Sequence, residues 1–169
     1  YEICFVPDND YRGFLKRRVE GLEERVAGGN FVLENGQVVG KHEGYPFYTI
    51  GQRKGLKIAM GYPVFVTEIR KETNEVVLGT EEYLKKNGMV VGKLNLQKYA
   101  AIPDGGLSTL TKIRYKDRGE SAYIQQTEED KIEVIFDEPV SAIAPGQAAV
   151  FYEGDDVVGG GWILKSYRA

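Results

Sequence analysis

The sequence holds one cysteine, Cys4, and one histidine, His42. A lone cysteine cannot close an internal disulfide, and no basic-then-apolar leader with a small-residue cleavage site is recognisable. A cytoplasmic location is therefore expected. One Cys and one His fall short of the ligand set of a zinc site, so no metal is expected. Apolar runs are short. None approaches the ~20 residues of a spanning helix, and no membrane partner is expected either. Neither sign of charge is in large excess, with 22 basic and 25 acidic residues. A protein that wraps nucleic acid with its whole surface would be basic, and the net charge of -3 excludes that class. Any RNA contact has to come from a local patch.

Hydrophobic residues make up 42% and aromatics 11% of the 169 residues, enough for a core in one domain or two small ones. Three basic stretches stand out: Arg12-Gly-Phe-Leu-Lys-Arg-Arg18, Arg53-Lys54-Gly-Leu-Lys57 and Lys112-Ile-Arg-Tyr-Lys-Asp-Arg118. Acid gathers elsewhere, in Glu128-Glu-Asp130, Asp137-Glu138 and Glu153-Gly-Asp-Asp156. Such segregation suits a phosphate backbone, and it equally suits a solvated mixed surface.

Asp8-Asn-Asp10 followed by Tyr11, Phe14, Leu15 and Val19 predicts an N-cap and a short amphipathic helix with Lys16, Arg17 and Arg18 at its end. Asn30 to Gly40 reads as a hairpin, with Asn35-Gly36 as a type I′ turn. A second strand pair is expected over Pro63–Arg70 and Glu75–Gly79, joined by Lys71-Glu-Thr-Asn74. Glu81 to Lys86 reads as a helical turn or two, stopped by Asn87-Gly88, where a domain boundary is placed. Beyond it strands are expected at Met89–Leu96, Thr109–Tyr115, Ser121–Thr127, Lys131–Phe136, Ala148–Tyr152 and Val157–Leu164. The expected fold is mainly β: a small β-rich domain with a short N-terminal helix over residues 1–87, then a roughly six-stranded barrel over 88–169. Gly159-Gly-Gly161 inside the last strand marks a bulge or a close backbone approach.

Cys4 lies between Ile3 and Phe5. It reads either as a small buried hydrophobe or as a reactive thiol activated by the following helix N-terminus. Tyr48-Thr-Ile-Gly-Gln-Arg-Lys-Gly-Leu56 departs from a phosphate-binding loop in its glycine spacing and in having Leu56 after Gly55. Gln52, Arg53 and Lys54 on that glycine-bounded turn suit an anion, or form a plain surface turn. Arg114 and Tyr115, placed on a strand, could stack on an unpaired base or merely pack on a barrel. Gln147 sits in an ordinary Pro-Gly turn. His42, beside Lys41 and Glu43, reads as a surface residue.

The ordered set of strings narrows these readings. Ile3-Cys-Phe-Val6, Tyr11-Arg-Gly-Phe-Leu15, Tyr48 to Leu56, Arg114-Tyr115, Ile132 to Pro139, Ala144 to Tyr152 and Gly159-Gly-Gly161 together resemble the bacterial tRNA-specific 2-thiouridylases, from Ile3 to about Leu164. The resemblance implies the C-terminal portion of such an enzyme: a central β-rich domain and a barrel similar to the second domain of elongation factor Tu. That family's N-terminal ATP-pyrophosphatase domain carries a Ser-Gly-Gly-x-Asp-Ser loop, and no such loop occurs here. ATP is thus expected to bind outside this chain, no cofactor within it, and the chain alone is expected to be inactive.

In the family, ATP activates the C2 oxygen of the wobble uridine in tRNAs for Lys, Glu and Gln, and persulfide sulfur replaces it. The resemblance makes Cys4 the persulfide carrier, fed by a cysteine desulfurase or a sulfur-relay protein. It makes Arg114, Tyr115 and Gln147 contacts to tRNA, and Gln52, Arg53 and Lys54 contacts to tRNA or between domains. The alternative function is a non-catalytic barrel module that binds RNA or a translation factor, with Cys4 structural. A third is a redox switch with Cys4 as its sensor.

Overall fold

A computed structural model describes residues 10–169 of the chain. Cys4 lies outside the described residues. The chain divides between Glu81 and Glu82 into two compact units, each with its own apolar core.

The first unit begins with α1 (Tyr11–Arg18), where the Asp10 carboxylate accepts the Gly13 N–H at 2.8 Å as an N-cap. Lys16, Arg17 and Arg18 fill its last turn. After α2 (Leu22–Val26) come β1 (Asn30–Leu33), β2 (Val38–Lys41), a 3-10 turn at Tyr45–Phe47, β3 (Phe65–Arg70) and β4 (Glu75–Gly79). Both expected hairpins form. They join into one sheet of order β2-β1-β4-β3 through a parallel pairing of β1 with β4. These two strands are central, and Phe31, Val32, Val76, Val77 and Leu78 are all buried. Phe31, Val76 and Leu78 pack with Val26, Phe47 and Leu56.

The first hairpin does not use the expected type I′ turn. Gly36 takes φ +86°, but Asn35 is absent from the residues with positive φ. Leu33 O accepts the Gly36 N–H at 2.8 Å, and the Leu33 N–H donates to Gln37 O at 2.8 Å. The loop is therefore the longer kind, a turn followed by a left-handed glycine. The register shift between Phe31 and Val32 lies beyond the loop, where Val39 is the extra residue on β2.

The second unit is a closed barrel. A helical turn, α3 (Glu81–Leu84), leads to β5 (Lys85–Leu96), β6 (Leu107–Lys112), β7 (Glu120–Glu128), β8 (Lys131–Ser141), β9 (Ala148–Glu153) and β10 (Asp156–Tyr167). The strands close antiparallel in the order β10-β5-β8-β7-β6-β9. β8 shows why the chain folds this way: Ile132, Val134 and Phe136 are buried while Lys131, Glu133 and Ile135 between them are not. The expected helical stretch to Lys86 is shortened, because Lys85 and Lys86 already pair with Ser141 and Val140.

Gly159-Gly-Gly161 is both a bulge and a close approach. Register shifts flank it, between Val157 and Gly159 against β9 and between Gly160 and Trp162 against β5. A Cβ on Gly160 would lie 2.4 Å from Ala149 O, and one on Gly161 2.6 Å from Gly92 O. The neighbouring strands come too near for any side chain. A second irregularity sits in β5. Lys93 takes φ +52°, and the Asp130 carboxylate accepts the N–H groups of Lys93 and Leu94 at 3.1 and 2.7 Å. Part of the acidic stretch Glu128-Glu-Asp130 thus holds strand geometry.

Candidate nucleic-acid interface

Arg114 and Tyr115 do not lie on a strand. β6 ends at Lys112, and the chain turns because the Asp117 carboxylate accepts N–H groups from both sides, Ile113 at 3.3 Å and Gly119 at 3.2 Å. The Asp117 N–H in turn donates to Arg114 O at 3.1 Å. The result is a fixed loop between β6 and β7 with Tyr115 at its tip, 98% exposed. A tyrosine with no packing partner on such a loop is a ring presented to solvent. Arg114 beside it donates from its guanidinium to Ser141 O at 3.2 Å, tying the loop to the end of β8.

Gln147 comes to the same end of the barrel. Its N–H donates to Ala144 O at 3.3 Å across Pro145-Gly146, and Gly146 takes φ +87°. That is the geometry a Pro-Gly pair prefers in a type II turn. Two bonds to Ile163, each 2.8 Å, dock the turn on β10. Lys112 pairs in register with Val150, so the end of β6 and the start of β9 are neighbours. Arg114, Tyr115 and Gln147 therefore leave adjacent strands at one rim. Lys112, Lys116 and Arg118 add positive charge there, with the Lys112 ammonium 4.9 Å from the Tyr152 ring centre. A fixed cationic rim with a protruding aromatic can hold phosphates and stack on an unpaired base.

In the first unit, Gln52 is occupied by its own loop. Its Oε1 accepts the Thr49 N–H at 3.0 Å, its Nε2 donates to Lys54 O at 2.9 Å, and its backbone pairs with Val66. Gln52 shapes the turn, and Arg53 and Lys54 are the exposed groups on it. The other basic stretch is partly neutralised. Arg12 pairs with Glu43 and Lys16 with Glu23. Arg12, and after it Lys57, hold the Glu43 carboxyl below the usual range. Segregation of charge in sequence is thus undone in part by folding.

His42 is not a surface residue. It is 5% exposed, its Nδ1 accepts the Gly44 N–H at 3.0 Å, and its ring meets Phe31 edge-on at 5.3 Å. Nε2 is directed at the Asn74 carbonyl but short of a proper hydrogen bond. Burial, more than any other influence, lowers the His42 pKa from its ordinary value. The unfolded chain then takes up a proton that the folded one refuses. Stability is full above the ordinary histidine range and is expected to fall as pH drops through about 6.5. No other side chain type titrates ordinarily in this window, and His42 is the sole histidine. Melting temperatures read between pH 7.5 and 5.5 should fall for the wild type and change far less for His42→Gln. Equal slopes would show that His42 is not the titrating group.

Two family models match the chain: a tRNA methyl transferase PRC-barrel domain over residues 12–80 and an aminomethyltransferase beta-barrel domain over 86–163. They meet close to where the structure divides. Among curated relatives, the tRNA-specific 2-thiouridylase MnmA of Cytophaga hutchinsonii is 66% identical over 99% of this chain and 45% of its own length. That of Amoebophilus asiaticus is 62% identical over 99% of the chain and 44% of its own length, and that of Salinibacter ruber 53% identical over 96% and 42%. The chain thus spans less than half the length of the relatives it matches. With nearly every residue aligned at such identity, the chain belongs to the tRNA-specific 2-thiouridylase family and corresponds to its C-terminal part.

Proposed function

We propose that this chain is the tRNA-gripping and persulfide-carrying part of a cytoplasmic enzyme that makes 2-thiouridine at the wobble position of tRNAs for Lys, Glu and Gln. The carrying observation is the 66% identity to a tRNA-specific 2-thiouridylase over 99% of the chain. ATP binds to the portion of the enzyme outside this chain and activates the uridine oxygen. Cys4 receives sulfane sulfur from a cysteine desulfurase or relay protein and holds it as a persulfide. The barrel rim of Arg114, Tyr115 and Gln147 holds the tRNA, and Arg53 and Lys54 add a phosphate contact. The rim supports this reading because its cations and exposed ring suit phosphate and base contact.

The gene's full coding sequence, expressed in a bacterial strain devoid of wobble 2-thiouridine, should restore it in digested tRNA read by mass spectrometry. The 169-residue chain alone should not, since it has no Ser-Gly-Gly-x-Asp-Ser loop. Absence of the modified base with the full sequence would refute the assignment. For the rim, Arg114→Ala should weaken tRNA binding and reduce the salt slope of log K by about one. An unchanged slope removes Arg114 from the phosphate contacts.

A further inference from the structure

Next to the Gln147 turn, on the outer face of the barrel, lies a groove of about 420 Å³, within the size range of ligand sites. Its floor is Gly159-Gly-Gly161, kept bare because the neighbouring backbones exclude any Cβ there. Trp162 lines it and is 50% exposed, a large ring left half in solvent on a strand whose next residue, Ile163, is fully packed. Such a flat, side-chain-free floor beside an indole admits a planar ring.

The strand register sets polar groups around this slot. Lys112, Val150, Gly160 and Asn95 are successive partners across four neighbouring strands, so one row runs from a cation over Val150 and the bare backbone of Gly160 to an amide. Lys93 and Gln97 also line the groove, and among the described residues no carboxylate does. Gln97 Nε2 donates to Asn95 Oδ1 at 2.7 Å, which leaves the Asn95 NH2 as a donor and the Gln97 oxygen as an acceptor. An aromatic wall, a donor and acceptor side by side, the Lys93 side chain in the lining and Lys112 on an adjoining strand, its ammonium over Tyr152, match a nucleotide: ring, base edge and phosphates. A peptide would find no carboxylate for its basic groups and no deep apolar hole for an anchor.

We propose that this groove binds one unpaired nucleobase of the tRNA, stacked on Trp162, with its edge toward Asn95 and Gln97 and its flanking phosphates toward Lys93 and Lys112. The proposal rests on the RNA-binding reading of the barrel and extends that surface from Gln147 across β10, since Trp162 pairs with Ala148 and Ile163 bonds to Gln147.

Trp162 is the sole tryptophan of the chain, so its fluorescence reports this groove directly. An unmodified tRNA transcript is titrated into the 169-residue chain while filter retention measures binding in parallel. Trp162 emission should be quenched along the same curve as retention. Trp162→Ala should bind on the order of ten-fold more weakly, while Trp162→Phe, which keeps a stacking face, stays within about three-fold. Ala148→Glu, which leaves the indole in place, should weaken binding and quenching together, and far-UV circular dichroism checks that each barrel is folded. Retention with unquenched Trp162 and an unaffected Trp162→Ala would overturn the groove and leave the rim reading intact. No retention at all would overturn both.

Discussion

In the full enzyme, Cys4→Ser is expected to reduce wobble 2-thiouridine to background while tRNA affinity stays within about two-fold. Serine keeps the size of the side chain and removes the sulfur chemistry. Accepting sulfane sulfur requires a thiolate, which a hydroxyl cannot replace. On the proposed role, transfer then needs the Cys4 S–S bond to break: the thiolate of a second cysteine, outside this single-cysteine chain, attacks the Cys4 sulfur, sulfide leaves to displace the activated oxygen, and the two cysteines are left as a disulfide. The readout is the nucleoside by mass spectrometry, with binding measured on the same preparations. Full thiolation in Cys4→Ser would return Cys4 to a packing role between Ile3 and Phe5. Lost thiolation with lost binding would make it structural. Only loss with intact binding marks it as the carrier.

The second large effect concerns the barrel that carries the proposed RNA surface. Phe151 is fully buried on β9, between β6 and β10, and packs in the barrel core with residues such as Ile113, Ile163 and Val158. Phe151→Ala should cost about 3–5 kcal/mol, the lost transfer energy of the ring plus the cavity it leaves. Against a net stability of about 5–15 kcal/mol, that brings the barrel near its unfolding threshold. Trp162 belongs to the barrel unit and reports its melting alone. The Trp162 transition should shift down by more than about 10 °C in Phe151→Ala. The His42-containing unit has a separate core, so Phe31→Ala should leave that transition close to its wild-type position. A shift under about 3 °C for Phe151→Ala would mean that the barrel closes over the cavity or draws its stability from elsewhere.

Alternation of burial along β8 and the Asp10 cap of α1 are local, and local patterns are written in the residues themselves. The number of barrel strands and their places along the chain could be read in the same way, because each strand carries its own period and turn residues. So could family membership, since it lies in ordered strings such as Tyr48 to Leu56. The strand placement of Arg114-Tyr115 failed where alternating residues met a turn built by Asp117, a side chain that bonds backbone on both sides of itself. The type I′ reading of Asn35-Gly36 failed because only Gly36 takes a positive φ and Leu33 closes the loop on Gln37, one residue wider than a two-residue turn.

What folding alone decided is long-range. The β1–β4 pairing brings together residues as far apart as Asn30 and Glu75, and it buries Phe31, against which His42 packs. Barrel closure places Gln147 beside Arg114-Tyr115 at one rim, and lays Lys112, Val150, Gly160 and Asn95 in one row. No window of sequence contains these neighbours. Hydrophobic period and turn chemistry are properties of a few consecutive residues, so the chain could state most of its strands and its family. The proposed groove, assembled from neighbouring strands, depends on register across the closed sheet, which only the tertiary packing sets.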